Sequence, residues 1–317
     1  MPWPERNLED AFFSVEMRPL YMPKGKIFEA YQQLPRHFAV VDVEREHALA
    51  VVTDDYELVT NQQAFKMAEE VMKRVFQTTQ LGDMGCLNIT MPKTRSFCHI
   101  DLIHKTADFS PWEADKWVAF LRITNSYNRT RRLRFELGFC RWVCLNGMIF
   151  GRKSIEFSYA HTRRGMERVD RFVQNLGDIR KLEVDLTEKL HQLKRYYVPE
   201  TEMLAILCRA FDIKVTKDVL EKPKRAENLL ALREHARGLV NSYFSTMGSH
   251  GYAALNVLTD YASRPVGVIA PEASMHGFQE KAGNWMDNFI SAIADPAFSF
   301  DNYLADYRET AEVIKSL

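Results

Sequence analysis

Alternation of apolar and polar positions is clearest at residues 132–139. There Leu133, Phe135, Leu137 and Phe139 alternate with Arg132, Arg134, Glu136 and Gly138. A period of two defines a strand with the apolar set on a core and both arginines on the opposite face. Shorter β-rich runs cover Phe38 to Val43, His47 to Thr53 and Tyr56 to Val59, with Asp54-Asp55 as a turn between the last two. Further strands are predicted at Cys86 to Met91, Phe97 to His104 and Trp117 to Thr124. Two more fall at Trp142 to Leu145 and Ile155 to Ala160, with Asn146-Gly147 and Gly151 as the turns between them. Thr60 to Phe76 reads as a helix. Thr60 and Gln63 fit a capping box, and Phe65, Ala68, Met72, Val75 and Phe76 recur at helical spacing.

After Gly165 the period changes. Val169, Phe172, Leu176, Ile179, Leu182, Leu186, Leu190 and Leu193 step by three or four, an apolar seam that resembles a coiled-coil stripe. Shorter helices follow near Ala226 to Phe244, Tyr252 to Ala262, Glu280 to Ala294 and Asn302 to Lys315, with Arg264 to Gly277 as a loop. The fold class is therefore α+β: a mixed or antiparallel sheet with helices in the N-terminal half and a helical C-terminal half. Residues 1–35, punctuated by Pro2, Pro4, Pro19, Pro23 and Pro35, are predicted irregular. Residues 36–165 form a β-rich region with a basic hairpin, and 166–317 a helical region opening on a long amphipathic helix at 166–195.

Three groups of residues resemble motifs of a phage/plasmid-like family, domain of unknown function 932. The first is Val52-Thr53-Asp54-Asp55-Tyr56 with Asn61 and Phe65 on the helix after it. The second is Asn125-Ser126-Tyr127-Asn128, followed by Arg141-Trp142-Val143-Cys144-Leu145-Asn146-Gly147 and Tyr159-Ala160-His161-Thr162. The third is Asn256, Thr259 and Tyr261 on one helix. The resemblance implies an origin in a phage, plasmid or prophage of a bacterium and implies no known activity. Asn128-Arg129 stands where the family pattern has an Asp-Gly-like pair, which adds charge to the turn.

Charge changes the picture. The chain has 317 residues and is neutral overall, with 42 Lys/Arg and 42 Asp/Glu. Yet Arg122, Arg129, Arg131, Arg132, Arg134, Arg141, Arg152, Lys153, Arg163 and Arg164 share their stretch with only Glu136 and Glu156. A segregated positive charge marks a surface for a polyanion, nucleic acid foremost. Arg129, Arg131, Arg132 and Arg134 are the leading phosphate contacts. Tyr127, in the polar turn with Asn125, is the leading ring for stacking on an unpaired base. The expected function is binding of nucleic acid, single-stranded DNA or RNA, in recombination, replication or defence, without catalysis.

Two alternatives stand beside it. Cys144, Asn146 and His161 supply the thiol, amide and imidazole of a hydrolase or transferase. A protein-interaction factor that ignores nucleic acid is the other. His99 and Asp101 share a strand face that would suit a divalent ion, but a polar strand face explains them as well, and no metal site or cofactor is expected. No phosphate-binding glycine loop occurs, and Gly248 to Gly251 reads as a turn and helix cap. Five scattered cysteines without a Cys-x-x-Cys pair predict reduced thiols in a bacterial cytoplasm. No apolar run approaches the ~20 residues of a membrane span, and the N-terminus lacks a secretory h-region. The leucine seam makes a homo-oligomer one expected partner state.

Overall fold

The computed structural model describes residues 5–24, 30–76, 84–113, 115–142, 146–149, 156–162, 179–268 and 271–317. The elements in chain order are β1 (Val15–Lys24), β2 (Ala30–Asp42), β3 (His47–Thr53), α1 (Asn61–Val75), β4 (Met84–Thr90), β5 (Phe97–Trp112), β6 (Asp115–Ser126), β7 (Leu133–Arg141), β8 (Gly147–Ile149), β9 (Glu156–Tyr159), α2 (Ile179–Arg195), α3 (Met203–Phe211), α4 (Pro223–Met247), α5 (Gly251–Ser263), α6 (Pro271–Ile293) and α7 (Phe300–Ser316). Strands crowd the first half and helices the second, so the α+β class holds. No described helix is long and apolar enough to cross a membrane.

The chain forms two compact units that interleave in sequence. The first comprises Met1–Ala107, Ala119–Leu137 and Ile155–Ile179. The second comprises Asp108–Val118, Gly138–Ser154 and Arg180–Leu317. Each unit draws on segments from both sides of residue 165.

In the first unit, β1, β2 and β3 make an antiparallel sheet in that order. The prediction that residues 1–35 are irregular fails here. Pro19 and Pro23 lie on β1, an edge strand, where the missing N–H interrupts no inner ladder. Pro35 lies where the β1–β2 register shifts, between the Tyr21↔Gln33 and Pro19↔Phe38 pairs, and outside the range that β3 pairs. Phe13, Val15, Val40, Val52, Tyr56 and Tyr127 form a buried cluster, with Met17, Phe38, Leu49 and Leu58 packed against it. Tyr56 makes a single bridge to Thr162 instead of opening a strand, correcting the reading of 56–59. The cap of α1 is as predicted: the Thr60 side chain accepts from the Gln63 backbone N–H, and Gln63 accepts from the Thr60 N–H.

The larger sheet runs β4-β5-β6-β7-β8, with β9 also on β7. β7 is an inner strand, since β8 pairs with its Gly138–Cys140 segment and β9 with Leu133–Glu136. Nearly every β7 residue is buried, so the predicted open arginine face does not form: Glu136 is buried and Arg134 half-buried. Gly147 starts β8 where a turn is predicted and Trp142 lies in a turn; residues 143–145 of the predicted strand fall outside the described residues.

In the second unit α5 is buried on every side. Gly251 opens it because a Cβ there would meet the Leu193 carbonyl oxygen at 2.9 Å. The expected turn and cap are present: His250 Nδ1 accepts from the Ala253 N–H. Pro271 begins α6 nine residues before the predicted helix, since its fixed φ suits a first helical position. Of the leucine seam, the part before residue 179 falls outside the described residues. Leu186, Leu190 and Leu193 on α2 are buried. Leu190→Ala is expected to destabilise this unit by about 2–5 kcal/mol, whereas Val184→Ala, at a position 68% exposed, should change stability by less than about 0.5 kcal/mol. Denaturant midpoints measured by circular dichroism check both.

Candidate functional site

A buried amide network builds the site from beneath. Asn61, the first residue of α1, donates through its side chain to the Ala11 carbonyl (2.9 Å). Asn125, near the end of β6, donates to the Val59 carbonyl and to Asn61 Oδ1, both at 2.9 Å. The Tyr127 hydroxyl accepts the Asn61 backbone N–H at 2.9 Å. That N–H is one of the orphan donors of a helix start, so a phenol from another strand end serves as its partner. Tyr127 and Asn125 are buried, and burial pushes the Tyr127 phenol well above its ordinary pKa. Tyr127 is thus a structural ring, and its predicted role in stacking on a base is withdrawn.

Two further bonds shape the turn that follows. Ser126 Oγ donates to the Arg131 carbonyl (2.7 Å) and accepts its N–H (3.1 Å). Asn128 Oδ1 accepts from the Thr130 N–H and hydroxyl, a side-chain mimic of a backbone turn. Between them Arg129 adopts φ 61°, the left-handed region where glycine is the ordinary residue. The Arg at this position therefore carries a backbone penalty and places a guanidinium on the turn.

The turn forms one side of a cleft of about 350 Å³. Arg129 to Arg132 line it on that side, Thr53, Asp55 and Tyr56 on another, and Ala160 to Thr162 on the third. Arg129 and Arg132 are exposed and neither pairs with a described carboxylate. Arg131 is half-buried over the Phe97 ring (4.1 Å), and desolvation, then the neighbouring Arg134, lower its pKa. The rings of Tyr56 and His161 stack at 5.4 Å and 20°, and the Glu57 N–H donates to the His161 carbonyl (3.0 Å). His161 is 7% exposed, and among the described residues neither ring nitrogen has a hydrogen-bond partner. Burial holds its imidazole below the ordinary value, with the Glu57 backbone opposing. Burial also pushes the Tyr56 phenol up to about 12, against the pull of Arg129.

Other predicted contacts lie elsewhere. Arg122 is buried and makes a two-pronged pair with Asp101, each contact 2.6 Å, so it is not a phosphate contact. Asp101 is thereby occupied, and His99 Nδ1 lies 2.8 Å from Thr124 Oγ1, so the two do not form a metal pair. Arg134 bonds Glu136 at 3.3 Å. Arg141, in the second unit, bonds Asp115 (2.6 Å), whose other oxygen accepts the Tyr252 hydroxyl. Cys144, Arg152, Lys153, Arg163 and Arg164 lie outside the described residues.

Asn146 belongs to a network of the second unit. It donates to the Tyr243 hydroxyl (3.0 Å) and accepts from Arg264 (3.3 Å), while Tyr243 and Arg264 both hold Asp260. Both ends of the Asn146 amide are thus engaged within the second unit. Asp260 keeps a carboxyl below its ordinary pKa because the bonds from Arg264, Tyr243 and Asn146 outweigh its burial. Sequence reasoning missed Thr53, Asp55 and Tyr56 as cleft residues. Their signal was the first motif, which the fold brings against the His161 segment of the second.

The family model described as domain of unknown function (DUF932) matches residues 48–274. That range contains the whole cleft and both amide networks. No curated protein matches the chain, and no solved structure does.

Asn125→Ala strands the Val59 carbonyl and Asn61 Oδ1, and is expected to cost about 1–3 kcal/mol in denaturant unfolding. His161 contributes a pH dependence of calculable sign. Its folded pKa lies below the unfolded value of 6.5, so the unfolded chain takes up the proton first. Stability is lost as pH falls through about 6.5. His161→Gln should flatten that acid-side loss; identical pH profiles of melting temperature for both proteins would contradict the assignment.

Proposed function

The chain belongs to the family described as domain of unknown function (DUF932), and for this member we propose binding of single-stranded nucleic acid through the 127–132 turn. The observation that carries the reading is the exposed pair Arg129 and Arg132, without described acid partners, on a turn pinned by buried side chains. A guanidinium held on a fixed backbone loses less entropy on meeting a phosphate than one on a loose loop. The arginines border a recess, and an unpaired nucleotide of a flexible strand can reach such a recess more readily than a base held in a duplex. No described acid but Asp55 lines the recess to oppose a polyanion. The resemblance to phage and plasmid proteins extends this reading to recombination, replication or defence in a mobile element.

Evolutionary logic supports the same residue. Arg129 sits where glycine would relax the backbone, and a residue that costs stability in a local sense is what function tends to retain. Arg129→Gly is therefore expected to leave stability unchanged or raise it by up to about 1 kcal/mol, while weakening strand binding.

Binding of labelled single strands by anisotropy across salt concentrations tests the function. Two phosphate contacts predict a log–log salt slope of about −1.4. The Arg129→Ser, Arg132→Ser double variant should lose more than about half of that slope. A wild-type protein that ignores single strands at low salt would contradict the reading.

A further inference from the structure

We propose that the cleft seats a phosphomonoester at the end of a nucleic-acid strand, held by Arg129 and Arg132 at the rim and by His161 in the wall. The strand part of this rests on the function proposed above; the phosphomonoester part rests on the cleft itself. Three observations carry it.

Size is the first. At about 350 Å³ the cleft is near the lower end of small-molecule sites, roughly 300–1,000 Å³. It accommodates one nucleotide-sized group, not a length of strand.

Charge is the second. Arg129, Arg131 and Arg132 outnumber Asp55 in the lining by two formal charges, with the Arg131 guanidinium lying over the Phe97 ring. An internal phosphodiester brings a single negative charge. A phosphomonoester brings about −1.5 to −2 at neutral pH, which matches the lining.

The third is His161. Its ring is more than nine-tenths buried and lines the cleft; neither nitrogen has a partner in hydrogen-bond geometry among the described residues, and the Glu57 backbone is the one described group close enough to favour its protonated form. Buried polar groups in folded proteins are nearly always bonded, and a phosphate oxygen is an acceptor that this ring can satisfy. The described groups around the ring are the Tyr56 phenol, Asp55, the Glu57 backbone and the three arginines. Burial holds it below its ordinary pKa while the cleft holds no anion; a bound dianion beside it favours the protonated form. Binding therefore takes up a proton, and affinity rises as pH falls from about 8 to about 6.5, above the phosphate's own ionisation near 6.

The test is anisotropy competition with matched short oligothymidylates ending in 5′-phosphate, 3′-phosphate or hydroxyl, at both pH values, with wild type and His161→Gln. Side-chain nitrogen NMR of His161 during titration with thymidine monophosphate accompanies it. The expected result is roughly ten-fold tighter binding of one phosphate-ended strand over the hydroxyl-ended one. That preference should be larger at the lower pH and vanish in His161→Gln, while hydroxyl-ended binding persists. The wild-type NMR signals should move on titration, a readout that does not depend on the variant folding. Equal binding of all three strands with unmoved His161 signals would overturn the inference and leave the strand reading intact. A response to the mononucleotide without binding of any strand would support the phosphomonoester cleft, assign it to free nucleotide, and overturn the strand reading. PH-dependent phosphate preference that survives in His161→Gln would remove His161 from the site.

Discussion

The site depends on the hydrogen bonds that two asparagines and a tyrosine make out of water. Asn61, Asn125 and Tyr127 come from a helix start and a strand end more than sixty residues apart, and each is buried. An unpaired amide in such a place costs free energy comparable to the whole margin of a small domain's weaker interactions. The start of α1 and the end of β6 are therefore held at one separation. Once β6 is fixed, Ser126 closes on Arg131 and the turn between them has little freedom. The basic rim of the cleft is a consequence of that closure, and so is the unusual backbone of Arg129.

The same logic explains why, among the described residues, counting charge along the chain overstated the basic surface. Arg122 is neutralised by Asp101, twenty-one residues earlier, and Arg141 by Asp115, twenty-six residues earlier. A buried arginine persists only with such a partner, because the unpaired ion would be too costly. Strand pairing brings these acids in, and a local window cannot see them. Among the described residues, what stays exposed at the cleft is a smaller group, Arg129 and Arg132, with Arg131 half-buried beside them.

Local signals in the sequence were the legible ones. The Thr60–Gln63 capping box and the His250 cap are short-range hydrogen bonds and appear where the pattern put them. The alternation of β7 identified a strand, but its second face was hidden because alternation reports polarity and not which neighbours flank the strand. Prolines misled at β1 and β2, since edge position and register shift are properties of the sheet. The motif residues Asn61, Asn125, Asn146, Asn256, Thr259 and Tyr261 all prove to be bonded in the interior of one unit or the other. The family signature therefore records chiefly how the fold is held. The cleft became visible only when Tyr56 and His161, over a hundred residues apart, were found stacked.

Ultraviolet crosslinking of a photoreactive single strand, with the attached peptides mapped by mass spectrometry, tests the central claim most directly. The account predicts adducts on the segments 53–56, 129–132 and 160–162, which line the cleft. Adducts confined to the helices of the second unit or to β1 and β2, or none at saturating strand, would contradict it.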